Sequence, residues 1–233
     1  MKYILFGILV IGLQACGTIS SYKTAELTEA DGVEFSGGLS YSEIPFYDDN
    51  NPNVNNELFE DNTKNYLVPD ISIWTRLGGK RSSVDAGISM APIPMGISVY
   101  LRQHIFPGNL MIPEATLGLM FRKFTNGLLG LNQGYSASYQ DLGVPLYLSW
   151  RLFNVTNVAT YMNITPLVRI YEYRAGWIDS YQEDFDVSSE GIQFTFGAQL
   201  KFLRLEYGVL ALSKGHYQHH LGGAFYFKSV WFQ

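Results

Sequence analysis

Three histidines, His216, His219 and His220, stand close together, and Ser213 shortly precedes them. A serine hydroxyl becomes a nucleophile when an imidazole takes its proton and a carboxylate orients that imidazole. Asp179 and Asp184 supply carboxylates on a neighbouring connection, but no His-x-Ser pair shares one strand. The same histidines form a His-x-x-His-His pattern with no adjacent acidic ligand, which falls short of a metal site. Asp48-Asp49-Asn50-Asn51, with Asn53, Asn55 and Asn56, is rich in oxygen donors. It lacks the glycine and the closing glutamate of a calcium loop, so it reads as a solvated connection, as do Glu183, Asp184 and Asp186. No phosphate-cradling glycine loop, dinucleotide fingerprint or nucleophile elbow is present. The expectation is therefore a non-enzyme without metal or cofactor, its histidines lying in a loop at an interface.

The elements that would carry these residues are strands. Charged residues make up only 16% of the chain, while it holds sixteen Tyr, fifteen Phe and 23 Gly. A net charge of −5 gives no footprint for nucleic acid. Few charges with many aromatics and glycines suit a barrel whose outside meets lipid. From about residue 30 apolar and polar side chains alternate, which in a strand sends them to opposite faces. Ile192, Phe194, Phe196, Ala198, Leu200 and Phe202 oppose Gln193, Thr195, Gly197, Gln199 and Lys201. Ala115, Leu117, Leu119 and Phe121 oppose Glu114, Thr116, Gly118 and Arg122. About ten such strands are expected, at 33–42, 66–77, 83–91, 95–106, 110–123, 140–152, 157–173, 191–202, 203–212 and 217–232. Many match the length a tilted strand needs to cross hydrocarbon. Pro145 and Pro166 fall inside strands and should mark bulges or local edges. The turn near Leu203, without glycine or proline, is the hardest to place. Long connections at 43–65, 124–139 and 174–190 fall on one end of the sheet, and short turns on the other.

The fold class that follows is all-β: an antiparallel up-and-down transmembrane β-barrel of about ten strands (8–12), over 31–233. Its polar face would point inward and form a lumen charge network of Asp70, Arg76, Asp85, Arg102, Glu114, Arg122, Arg151, Arg169, Lys201 and Lys228. Glu206 shares that face. Buried charges need partners, and about ten strands enclose a lumen that side chains mostly fill; wide aqueous pores need about sixteen. A salt-bridged interior is expected first, and a narrow cationic path for an anionic solute second. Trp150, Trp177 and Trp231 are girdle candidates at the membrane interfaces, whereas Trp74 sits on the inward register. Outer-membrane lipids are the expected surroundings of a monomer.

The ends carry two resemblances. Lys2, then the apolar run Tyr3–Leu13, then Leu13-Gln14-Ala15-Cys16 with the chain's sole cysteine, resembles the bacterial lipobox. It implies a signal peptide at 1–15, diacylglycerol and palmitate-type acylation on Cys16, and a lipidated spacer at 16–30. Gly17 in place of Asp implies routing to the outer membrane. The aromatic terminal strand from Phe225 to Gln233 is similar to the closing strand of outer-membrane barrels. That similarity implies passage through the barrel-assembly machinery, although the aromatic is penultimate. Ile73-Trp74-Thr75-Arg76-Leu77-Gly78 followed by Val84-Asp85-Ala86-Gly87 resembles the Arg-Leu-Gly … Asp-x-Gly hairpin of small outer-membrane barrels.

The function these features imply is an outer-membrane β-barrel lipoprotein with a structural, surface-interaction or narrow-channel role. A lipid-anchored periplasmic calycin-like barrel that binds a hydrophobic ligand is a rival. It lacks the Gly-x-Trp opening, and its faces would be inverted. A lipid-modifying barrel enzyme using Ser213 and the nearby histidines is a second rival.

Overall fold

The computed structural model describes residues 22–27, 32–45, 63–77, 84–91, 96–109, 111–125, 135–152, 158–175, 184–213 and 217–230. Its strands are β1 (Gly32–Pro45), β2 (Thr63–Leu77), β3 (Val84–Ala91), β4 (Gly96–Phe106), β5 (Glu114–Thr125), β6 (Tyr135–Gly143), β7 (Leu146–Arg151), β8 (Val158–Ala175), β9 (Asp184–Leu200), β10 (Leu203–Leu212) and β11 (Tyr217–Val230). Every pairing is antiparallel between neighbours, β1 joins β11, and β4 joins β5, so the sheet closes on itself.

β6 and β7 are two halves of one barrel strand, since both pair with β5 on one side and β8 on the other. The barrel thus has ten staves. The break falls at Val144-Pro145, where proline was expected to disturb the ladder, but no residue is inserted. Gly143 faces Leu167 and Leu146 faces Ile164, so the register runs through unchanged. Pro145 removes a donor without adding length, which interrupts a ladder but does not bulge it. Pro166 sits within the continuous β8. The bulge lies at Ile105, where β4 slips by one residue against β5.

Several strands run past their apolar stretches. β9 begins at Asp184 rather than 191, because the acidic segment 184–190 pairs with 168–174 of β8. Ladder bonds beyond an apolar band need no apolar face, so periodicity alone does not reveal them. The β9–β10 hairpin turns one residue earlier than expected. Leu200 pairs with Leu203, leaving the two-residue turn Lys201-Phe202, with Lys201 at φ 55°. A lysine held in the left-handed region carries a steric penalty that a β-branched residue would increase. Lys201→Val is expected to lower stability by about 1–2 kcal/mol, and Lys201→Gly to cost nothing, read from urea midpoints of the detergent-folded protein.

The faces are inverted relative to a soluble barrel. Ile71, Ile73, Leu119, Phe196, Leu221 and Phe227 are exposed outside. Arg102, Arg122, Asp141, Arg169, Arg204 and Glu206 are fully buried inside. Among the described residues no helix is long and apolar enough to cross a membrane. Leu77, Val84, Phe106, Glu114, Arg151, Val158, Leu200 and Leu203 end or begin their strands at one end of the barrel, which they share with Gly32 and Val230, the paired start of β1 and end of β11.

Candidate functional site

The lumen is filled by two charge clusters and by a piece of the chain itself. Residues 22–27, expected as part of a free spacer, lie inside the barrel: Tyr22, Lys23, Thr24, Ala25 and Leu27 are buried. The wall grips this strap through its backbone. Arg204 donates to the Tyr22 carbonyl (2.8 Å), Asn163 to that of Lys23 (3.2 Å), and Thr116 to that of Ala25. Arg102 donates to the carbonyls of Thr24 (2.7 Å) and Glu26 (3.3 Å). The Tyr22 hydroxyl donates to the Leu39 carbonyl (3.1 Å), and Tyr22 itself takes φ 45°, a left-handed conformation rare outside glycine. A polar lumen needs donors and acceptors in balance, and the strap contributes a row of carbonyls to an arginine-rich wall.

Side chains reinforce the grip. Glu34 on β1 meets Lys23 Nζ at 2.9 Å and Arg204 at 2.7 Å. Arg204 also donates to Gln199 (2.9 Å) and stacks over Tyr226, and Gln199 donates to the Tyr226 hydroxyl (2.8 Å). Arg102 lies over Trp74 and Tyr147, and Lys23 over Trp74. Trp74 stacks on Tyr100 across Gly87, which its ring covers so closely that no Cβ fits there.

Farther toward the long-connection end, Asp141 is shared by two arginines. Arg122 Nε donates to Asp141 Oδ2 (2.8 Å), and Arg169 donates to Oδ1 (2.7 Å) and Oδ2 (2.9 Å). Gln193 accepts from Arg122 at 3.3 Å, Gln218 accepts from Arg169 at 3.0 Å, and Arg169 stacks on Tyr139. Charge-assisted, bidentate bonds of this kind hold their geometry firmly. Between the clusters, Glu206 meets His220 at 3.3 Å and accepts from the Tyr161 hydroxyl at 3.1 Å, and Tyr22 packs edge-on to His220.

The expected lumen residues divide accordingly. Arg102, Arg122 and Arg169 are interior and engaged as above. Glu114 and Arg151 meet at the short-turn rim (3.4 Å), where His104 joins Glu114 at 3.1 Å, and Arg151 is largely exposed. Arg76 is half-buried, with its backbone paired to Asp85. The side chains of Asp70, Asp85 and Lys228 lie outside the described residues; their strand registers place them opposite Gly38, Arg102 and Glu34. Lys201 is not in the lumen. It is exposed in the β9–β10 turn, because the alternation that would have sent it inward ends at Leu200.

Sequence reasoning missed Asp141, Glu34, Arg204 and Lys23. The first three were readable by extending the alternation: Asp141 shares parity with Tyr147 and Ser149, and Arg204 with Glu206. Lys23 carries no such signal, since its segment has no period.

The serine and histidines do not converge. His220 points inward to Glu206, whereas His219 points outward, 3.0 Å from the Tyr207 hydroxyl. Ser213 pairs with Ser189 at 3.1 Å at the other end of the β10–β11 connection. His216, Asp179, Trp177, Trp231 and Cys16 lie outside the described residues. Among the described residues no three His, Cys, Asp or Glu side chains gather as a metal site would require.

No family model and no curated protein matches the sequence. Among solved structures, Ail, the attachment invasion locus protein of Yersinia pestis, in complex with the heparin analogue sucrose octasulfate, is 10% identical. That match covers 85% of this chain and 99% of Ail, with a TM-score of 0.33. A second structure of Ail gives 9% identity over the same shares, with a TM-score of 0.31. Scores of that size establish neither shared activity nor shared ligands. The chain is a closed, ten-stave antiparallel β-barrel with an apolar outside, a charged inside and its own strap, residues 22–27, bound in the lumen.

Proposed function

We propose that this chain is a non-enzymatic outer-membrane β-barrel that is sealed along its axis and works through the connections at its long-loop end. The observation that carries the reading is the strap. A solute path would have to pass Lys23, Ala25, Arg102 and Arg204, all buried and each bonded across the contact between strap and wall. Taking so many polar groups out of water is tolerable only when they are mutually satisfied, and that satisfaction is what a channel would have to break. A surface role fits the sealed lumen better than transport.

Lipid attachment at Cys16 belongs to the same proposal. Cys16 lies six positions before Tyr22 in the sequence, so an anchored cysteine can stand no more than about 20 Å from the strap. The free spacer is thus far shorter than the fifteen or so residues read from the sequence, and the lipid would sit beside the barrel.

The reading is tested by placing an epitope within 46–62 and by reconstituting the protein in a planar bilayer. Antibody binding on intact cells, with no steady conductance, is expected. Binding only after permeabilisation, or a steady pore, would contradict it. Cys16→Ala protein should lose radiolabelled palmitate yet still sediment with outer membranes; recovery in the soluble fraction would favour a merely tethered barrel.

A further inference from the structure

A barrel wall is ordinarily convex toward lipid, yet a cavity of about 1070 Å³ opens on its outer side across β4, β5, β6, β8, β9 and β10. The register explains the dent. One row crosses these strands on the inward face: Met120, Gly143, Leu167, Gly191 and Leu212. The two glycines put no side chain between wall and lumen. A Cβ on Gly191 would lie 2.7 Å from both the Ala211 carbonyl and Leu212 Cδ2, and one on Gly143 would lie 3.0 Å from Met120 Cε. The wall therefore draws inward over them.

The ladder is also interrupted there. Val144 N–H donates to the Pro166 carbonyl (3.0 Å) and Gly118 N–H to the Pro145 carbonyl (2.8 Å). Neither bond has its reciprocal, because proline has no N–H. One stave thus lacks a ladder bond on each side at adjacent residues.

The floor and walls of the groove are apolar, with Val99, Leu119, Val144, Ile192 and Phe194 among them, and its upper lip carries Glu190 and Ser213. Glu190 stands on the outward register and is exposed, and its carbonyl accepts from Ser213 N–H at 2.7 Å. Lys123, on the same outward register, is three strand spacings away, about 14 Å, beyond ion-pair reach. Among the described residues lining the groove Glu190 is the one carboxylate, and a carboxylate at the end of an apolar trough favours an amphiphile with a cationic head over an anionic one.

We propose that the groove binds one acyl chain of an ammonium-headed phospholipid, with the head group at Glu190. The inference rests on the membrane-barrel reading, because only there does the groove face acyl chains. It is tested by native mass spectrometry of the detergent-solubilised protein titrated separately with phosphatidylethanolamine and phosphatidylglycerol. Wild type should retain one phosphatidylethanolamine about tenfold more strongly than phosphatidylglycerol. Ala211→Phe, which fills the trough from outside, should weaken both by about tenfold, and Glu190→Gln should erase the preference while leaving phosphatidylglycerol unchanged. Equal retention of the two lipids by wild type, or undiminished binding by Ala211→Phe, would overturn the groove. Heat-modifiable migration of the same samples tests the barrel separately. Shifted migration without lipid selectivity defeats only the groove, and unshifted migration defeats the reading beneath it.

Discussion

Asp141→Ala is expected to destabilise the barrel by about 3–5 kcal/mol. The carboxylate is the shared partner of Arg122 and Arg169, and all three side chains are buried. Its removal leaves two guanidinium groups facing each other, where the neutral Gln193, Gln218 and Tyr139 ring do not replace its charge. The penalty comes from uncompensated buried charge rather than from lost attraction. A control separates the two: Asp141→Leu combined with Arg122→Met and Arg169→Met removes the charges together. It should recover most of the loss, because whole buried ion clusters are often replaceable by apolar side chains of similar volume. Urea midpoints by tryptophan fluorescence in detergent micelles give the comparison. A single Asp141→Ala variant as stable as wild type would show that the cluster does not organise the lumen.

Glu34→Ala has the second large effect, and it falls on closure more than on the wall. Glu34 ties Lys23 of the strap to Arg204 of the wall. Without it the strap keeps its carbonyl bonds, but the Lys23 ammonium and the Arg204 guanidinium lose the carboxylate they share inside the lumen, at a cost of several kcal/mol. The strap, held to the wall by hydrogen bonds and this ion pair and by no strand ladder, is the element able to leave. Current steps across a planar bilayer are expected where wild type is silent. Glu34→Gln, which still accepts a hydrogen bond, should give fewer. A silent Glu34→Ala variant that retains wild-type stability would mean that the pair does not hold the strap.

Much of the barrel is legible in residue order because a membrane wall must alternate. Leu117 and Leu119 outside, with Thr116 and Arg122 inside, follow from a period of two and the polarity of each solvent. Trp74 was placed inward by the same rule, and it is buried against Gly87 and Tyr100. The rule fails wherever geometry rather than polarity decides. Lys201 turns at a left-handed φ that nothing in Leu200-Lys201-Phe202 announces. The tip of β9, 184–190, continues a ladder with a loop-like composition.

The strap is the clearest case of the second kind. Tyr22-Lys23-Thr24-Ala25-Glu26 has no period and no cap, and it reads as a tether. What fixes it is the supply of donors from Arg102, Asn163, Thr116 and Arg204, which come from four different strands. Such a site exists only once the barrel has closed. The expectation of a packed, ion-paired interior was therefore close to the structure, while the chain segment that completes the packing lay outside what periodicity can reveal.

The interior strap is tested most directly by a single-cysteine protein, Cys16→Ser with Ala25→Cys, treated with a bulky membrane-impermeant maleimide before and after boiling. Ala25 is fully buried beneath Thr116, so the folded protein is expected to remain unlabelled while the boiled protein reacts completely. Labelling of the folded, heat-modifiable form at the rate of the boiled form would contradict a strap bound within the barrel.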